Sequence, residues 1–247
     1  MDVLAIIGAL IAFAAIIMGN SLEGGTFAAL VDGPAFIIVI GGTLGAIVLQ
    51  TPYNRLRSAT SLLSWVLHPP IFQWREDVER MTTWSRVARR EGLLGLENIA
   101  EKTHDDFHKK GLELVIDGVE PVTIRRLLES DCQARLDANL AGAQVFRSMG
   151  GYAPTIGILG AVIGLIQVMG NLADPEELGQ GIATAFVATI YGVGFANLLF
   201  LPVADRIRSL AMRKSSADEL YIEGLLAIAE GEHPRNIEVR LQGFQEA

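Results

Sequence analysis

Four long runs without a single charged side chain, at residues 3–19, 34–50, 150–170 and 182–203, constrain this chain more than any other feature of its sequence. Each approaches the roughly 20 apolar residues that a helix needs to cross a hydrocarbon core. Inside a bilayer the backbone finds no water to bond, so each run is expected to close its hydrogen bonds internally as a helix. Half of the chain is hydrophobic and only 19% is charged, which is unusual for a soluble enzyme. The first run follows the acidic Asp2 where a signal peptide would carry basic residues, and it has no clear small-residue cleavage site, so it is expected to be a retained span.

The third run, "GGYAPTIGILGAVIGLIQVMG", contains six glycines and a proline. Glycine costs roughly 1 kcal/mol relative to alanine in a helix interior. In a membrane this loss is offset where small residues let helices approach closely. Residues Gly41 and Gly45, Gly160 and Gly164, and Thr184, Ala188, Gly192 and Ala196 recur at four-residue intervals, which keeps each set on one helical face. Such faces suit packing among the chain's own spans, against copies of itself, or against a partner helix. Pro154 has two readings: a proline accommodated in the first turn of a span, or one that frees a backbone carbonyl beside a polar path.

Charge sets the expected topology. All 20 Lys and Arg fall within residues 51–147 and 204–247, and none lies in the short loops 20–33 and 171–181. The positive-inside rule places both large segments and both termini in the cytoplasm, with Glu23, Asp32, Asp174, Glu176 and Glu177 on the periplasmic side. The net charge of -8 is thus partly an external acidic rim and gives no sign of a nucleic-acid partner. The single cysteine, Cys132, cannot form an internal disulfide.

The expected fold is all-α: a polytopic membrane protein with four transmembrane helices and a helical cytoplasmic extension. Residues 1–50 hold the first two spans, 51–147 a cytoplasmic helical loop, 148–203 the last two spans, and 204–247 a cytoplasmic helix and tail. Helical spacing runs through "YNRLRSATSLLSWVL" and "EPVTIRRLLESDCQARLDANLAGAQVFRSMG", and "LHPPIFQW" predicts a break between helices. A helix from Asp205 to Gly231 is expected, with the possibility of continuity into the fourth span.

Enzymatic chemistry has little footing. "HDDFH" places His104 and His108 four apart, but no third ligand is evident, and a zincin motif would need Glu where Asp105 stands. A polar turn or helix end is the simpler reading. No phosphate-cradling loop, nucleophile elbow or cysteine cluster is present, and no cofactor is expected. The spans contain no Asp, Glu, Lys, Arg or His, the groups on which proton relays through membranes depend. Alone, the chain lacks a titrating site within the bilayer.

The third run, together with "TAFVATIYGVGFANLLFLPVADRI" and "ARREGLLGLE", resembles the MotA/PomA family of flagellar motor stator subunits. The likeness extends to "LVDG", with Asp32, before the second span and to "AIAEGEHPRNIEVRL", with Pro234, in the tail. It implies a homo-oligomeric, pentameric ring in the lipid bilayer around the spans of a MotB/PomB-type partner, which supplies the missing aspartate and a peptidoglycan-binding domain. Ion flow through this channel drives rotation through a FliG-type rotor protein. Related TolQ/ExbB energisers share the glycine-rich spans and are the alternative, whereas "ARREGLLGLE" favours the stator.

By the same resemblance, Pro154 matches the proline beside the partner's aspartate, and Thr189 matches a threonine of the ion path. Ala161 replaces a second threonine of sodium-driven members, Ala188 also lacks an expected hydroxyl, and Thr155 beside Pro154 offers another oxygen. Sodium needs oxygen ligands as it sheds water, so a proton is the expected ion. Arg89 and Glu97 match the charged pair that faces the rotor, with Arg90 and Glu91 beside them. Their separation of eight residues predicts one shared exposed helical face.

Overall fold

The computed structural model describes residues 3–170 and 175–245, so Asp2 and Asp174 lie outside the described residues. All regular structure among the described residues is helical. The order is α1 (Val3–Leu22), a 3-10 turn at Phe27–Leu30, α2 (Gly33–Phe36), a π turn at Ile37–Gly41 and α3 (Gly42–Gln50). Next come α4 (Tyr53–Leu67), α5 (Trp74–Glu91), a 3-10 turn at Leu93–Leu96, α6 (Glu97–Lys102), α7 (Asp106–Ile116) and the 50-residue α8 (Pro121–Gly170). The chain continues through α9 (Pro175–Phe195), a π turn at Ala196–Phe200, α10 (Leu201–Ala229), α11 (Pro234–Gln242) and a final 3-10 turn.

Local chemistry sets these boundaries. Asp32 caps α2 by accepting the Ala35 N–H at 2.7 Å, with Pro34 in the first turn. The prolines after His68 separate α4 from α5, as expected. Asp105 caps α7, and the His233 side chain caps α11 ahead of Pro234.

Three helices are long and apolar enough to span a membrane: Phe27–Gln50, Pro121–Gly170 and Leu178–Ala229. The helix before them carries a shorter apolar stretch, Leu10–Leu22. The third expected span is not a separate helix, because α8 begins at Pro121 and runs through the whole of it. The fourth joins the tail helix without interruption, the continuity left open by the sequence.

The chain divides into two compact units, Met1–Pro69 with Ala138–Ser209, and Pro70–Asp137 with Leu210–Ala247. The first holds the apolar helices. Its core gathers Ile47, Leu62, Phe146, Ala153, Ala196, Phe200 and Ile207. Gly142 admits the side chain of Leu62. Large apolar side chains stay exposed on it, including Ile37, Leu49, Ile166 and Phe186. In water such a surface would aggregate, whereas lipid or partner helices cover it without cost.

The second unit packs Met81, Trp84, Leu96, Phe107, Leu112, Leu128, Leu225 and Leu241 around Tyr221. Glycines again allow close approach: Gly224 lies against Met81, and Gly111 against Leu225 and Tyr221. Glu223 ties three helices together, accepting from Arg125 of α8 at 2.6 Å and from Arg240 of α11 at 2.5 Å. Burial pushes the Glu223 carboxyl up, but the two guanidinium groups outweigh it and hold the carboxyl below its ordinary range.

Candidate functional site

Within the first unit α8 and α9 meet along a seam with almost no side chain between their backbones. A Cβ on Gly157 would lie 2.8 Å from the Ala188 carbonyl oxygen and 3.1 Å from the Gly192 Cα. One on Gly192 would lie 2.6 Å from the Ala153 carbonyl oxygen and 3.2 Å from the Pro154 Cα. Farther along, Gly160 meets Ala188 and Ile38, and Gly164 meets Gly181 and Ala185. Four of the six glycines of the third run, Gly150, Gly157, Gly160 and Gly164, are therefore explained by contact within the chain itself, whereas Gly151 and Gly170 meet nothing within 4 Å. Gly41 and Gly45 face open space, and on that helix it is Gly42 that packs, against Ile156.

Pro154 stands at the tightest part of this seam, half-buried, and far inside α8. The first-turn reading is thereby corrected, because the helix starts 33 residues earlier, at Pro121. A proline so placed cannot donate a helical hydrogen bond and leaves a carbonyl one turn back without its usual partner. Thr189 of α9 is half-buried and donates its hydroxyl to the Ala185 carbonyl at 3.2 Å, which leaves the oxygen lone pairs available as acceptors. Thr155 is exposed and donates to the Tyr152 carbonyl at 2.8 Å. Ala161 is half-buried and offers no oxygen beyond its backbone. The site thus holds hydroxyls and carbonyls but no titratable side chain.

Along the same stretch of α9, on either side of Thr189, Asp32 does more than cap α2. Its second carboxylate oxygen accepts from the Thr184 hydroxyl at 2.7 Å, and its backbone N–H donates to the Tyr191 hydroxyl at 3.2 Å. Tyr191 donates in turn to the Leu30 carbonyl at 2.7 Å. Phe36 and Phe195 pack edge-on against and beside the Tyr191 ring. The loop before α2 is thereby fastened to α9. The sequence reading named Asp32 and counted Thr184 only as a small residue. It missed Tyr191, whose signal was a lone phenol inside an apolar run.

The second unit carries the expected charged positions, but not on one helix. Arg89 and Arg90 lie in the last turn of α5, Gly92 then turns the chain with φ +78°, and Glu97 opens α6 after a 3-10 turn. The shared-face reading fails because only glycine adopts that backbone freely, and it stops α5 between the two residues. All three side chains are exposed, and Arg89 donates to the Gly231 carbonyl at 3.3 Å. Pro234 occupies the first turn of α11. His104 precedes α7 while His108 lies within it, stacked on Tyr221 at 4.1 Å between ring centroids, so the pair does not share a helix face. Among the described residues no group of His, Cys, Asp and Glu is arranged to hold a metal.

Comparison with known proteins agrees with this arrangement. Residues 6–92 match the motility protein A N-terminal family, and residues 99–219 match the MotA/TolQ/ExbB proton channel family. The motility protein A of Bacillus subtilis is 37% identical, with the match covering 98% of this chain and 90% of that protein. The chain belongs to the motility protein A family. The chemotaxis protein PomA of Vibrio alginolyticus is 28% identical over 99% of this chain and 95% of its own. Among solved structures, a C. jejuni MotAB structure is similar with a TM-score of 0.93, 28% identity and coverage of 99% and 96% of the two chains. The flagellar MotAB stator complex from Bacillus subtilis gives a TM-score of 0.86 at 37% identity, covering 95% and 92%. Membership of the motility protein A family makes the chain a membrane protein, and the seam around Pro154 lies within residues 99–219, the stretch that matches the MotA/TolQ/ExbB proton channel family.

Proposed function

We propose that this chain is the ring-forming subunit of a flagellar stator, which joins a single-span MotB/PomB-type partner to conduct protons and turns a FliG-type rotor. The observation that carries the reading is the seam at Pro154: a backbone-lined contact with hydroxyls but no carboxylate, which needs an ionisable group from another chain before it can relay protons. The exposed apolar faces beside it suit the partner's span and neighbouring copies in a pentameric ring. In this reading α1 completes four spans, both termini and residues 51–147 are cytoplasmic, and residues 204–247 extend the cytoplasmic part. The missing oxygens at Ala161 and Ala188 favour the proton over sodium. Arg89, Arg90 and Glu97 act as the rotor-facing charges. Exposed ion pairs contribute only about 0 to 1 kcal/mol each, whereas one charge crossing 100 mV releases about 2.3 kcal/mol. Contacts so weak can be made and broken at every ion step.

A TolQ/ExbB-like energiser is the second reading, favoured only by the shared channel-family match. The N-terminal match over residues 6–92 belongs to motility protein A and favours the stator. The deciding experiment is affinity purification of the chain from membranes with the co-purifying single-span protein identified. A partner with a peptidoglycan-binding domain supports the stator, and an envelope-energising partner without one overturns it.

A further inference from the structure

Asp205 occupies an isolated position in the first unit. No Asp or Glu occurs in residues 33–69, 138–173 or 178–204, and none follows Asp205 before that unit ends at Ser209. Of that unit's other acids, Glu23 and Asp32 precede α2, and Glu176 and Glu177 lie at the start of α9. Around the end where Asp205 stands the unit carries five arginines, Arg55, Arg57, Arg147, Arg206 and Arg208, and no lysine. One carboxylate has therefore been placed among the cations that fix topology, at the foot of the apolar helices.

Its surroundings are a cavity of about 150 Å³ lined by Leu140, Ala143, Gln144, Arg147, Ala204 and Arg208 with Asp205 itself. Arg147 donates to the carboxylate at 3.0 Å, and both side chains remain more than half exposed. Helical geometry ties this cavity to the seam. At about 100° per residue, Pro154 lies about 20° and Ala161 about 40° around α8 from Arg147, so the three share one face. The face that carries the proline and the replaced threonine thus ends, two turns below Pro154, on the Arg147–Asp205 pair.

We propose that Asp205 is the cytoplasmic exit acceptor of the ion path, an assignment that rests on the stator reading above. A proton leaving along the Pro154 face meets a positive field from the arginines, which opposes its departure and repels other cations as well. A hydronium at the foot of the face gives its proton to a carboxylate oxygen of Asp205 and remains as water. The carboxylic acid then passes the proton to cytoplasmic water and returns to the carboxylate. Arg147 acts as a positioning residue, holding the acceptor toward the path, and Arg208 shortens the life of the leaving cation beside it.

Single-motor rotation measured against load tests the assignment, in cells that carry the chain with its partner as the only stator. At high load each step waits on the rotor, whereas at low load it waits on the ion. Asp205→Asn is expected to lower low-load speed about three- to tenfold, with high-load torque retained and partner co-purification unchanged. Asp205→Glu should keep the speed. Arg147→Gln, which breaks the pair but spares the acid, should keep most of it. Equal losses in Asp205→Asn and Arg147→Gln would reduce the pair to a structural tie and overturn the proposal, as would proportional loss at all loads or no loss. A wild-type chain that drives no rotation would instead refute the stator reading, and the exit assignment with it.

Discussion

Gly157 and Gly192 face each other across the α8–α9 seam so closely that a Cβ on the first would stand 3.1 Å from the Cα of the second. Neither position has room for a side chain, since what each would meet is backbone. Gly192→Val is expected to separate the helices and cost about 1 to 3 kcal/mol of stability through overpacking. Thermal unfolding of the detergent-solubilised chain measures it. Gly45→Ala, where nothing lies within 4 Å, should leave stability unchanged or raise it by up to about 1 kcal/mol. Equal melting temperatures for both variants would contradict the contact.

The hydroxyl of Thr189 separates an ion-path role from a packing role. Thr189→Ala should impair rotation, and Thr189→Ser, which keeps the oxygen, should restore most of it. Speed should be indifferent to external sodium at fixed proton-motive force. Swimming that stops when potassium replaces sodium, yet survives a protonophore at alkaline pH, would show the motor to be sodium-driven.

Rotor contact through charge predicts that reversing Arg89 and Glu97 together reduces swimming while membrane insertion and partner binding persist. A rotor variant of opposite charge should recover part of it. Arg90 stands beside Arg89 and shares the load, so single reversals should be mild. Unchanged motility in the double reversal would return these residues to ordinary solvated surface.

Asp32 caps α2 and also receives the Thr184 hydroxyl. Asp32→Ala should lower stability by about 0.5 to 2 kcal/mol. Thr184→Val removes one of the two contacts and should cost less. A double-mutant cycle read by thermal unfolding should show the two losses to be non-additive, because the residues share one carboxylate.

Acid should loosen the second unit. Glu223 and Asp105 both have folded values below their unfolded ones: burial raises each, but Arg125 and Arg240 outweigh it for Glu223, and His108 and Arg135 for Asp105. A depressed carboxyl stabilises the fold above its unfolded value and loses that contribution as pH falls through the folded value. Asp77, raised chiefly by burial, works in the opposite sense. The melting temperature should therefore fall as pH drops below the ordinary carboxylate values of 4.5 and 3.8. Glu223→Gln should be less stable at neutral pH and less sensitive to acid. Parallel pH profiles for the two proteins would contradict the assignment.

Element type was legible in the sequence because uncharged runs and helical spacing leave a membrane chain few alternatives. Pro154 itself was legible, but its depth in α8 was not, since a proline near the start of an apolar run suggests a boundary that tertiary packing overrides. The Arg89–Glu97 spacing misled for a related reason: the glycine between them, with positive φ, stops the helix that the spacing assumed. Which small-residue ladder would close the seam was likewise hidden. Gly41 and Gly45 carry the same four-residue signature as Gly160 and Gly164, and only the fold shows which pair is filled. The bond between Asp32 and Thr184 crosses 152 positions of sequence and leaves no local trace.

The π turn at Ala196–Phe200 holds one residue more than an α-helical turn of the same rise, directly ahead of Pro202. Such a turn is a reserve of rotation. Tightening it to α geometry would swing every side chain that follows by about 100° about the helix axis, without breaking the helix or changing its sequence. Asp205 and Arg208, which line the cavity beside Arg147, stand after this turn, so their bearing on that cavity is set by its winding.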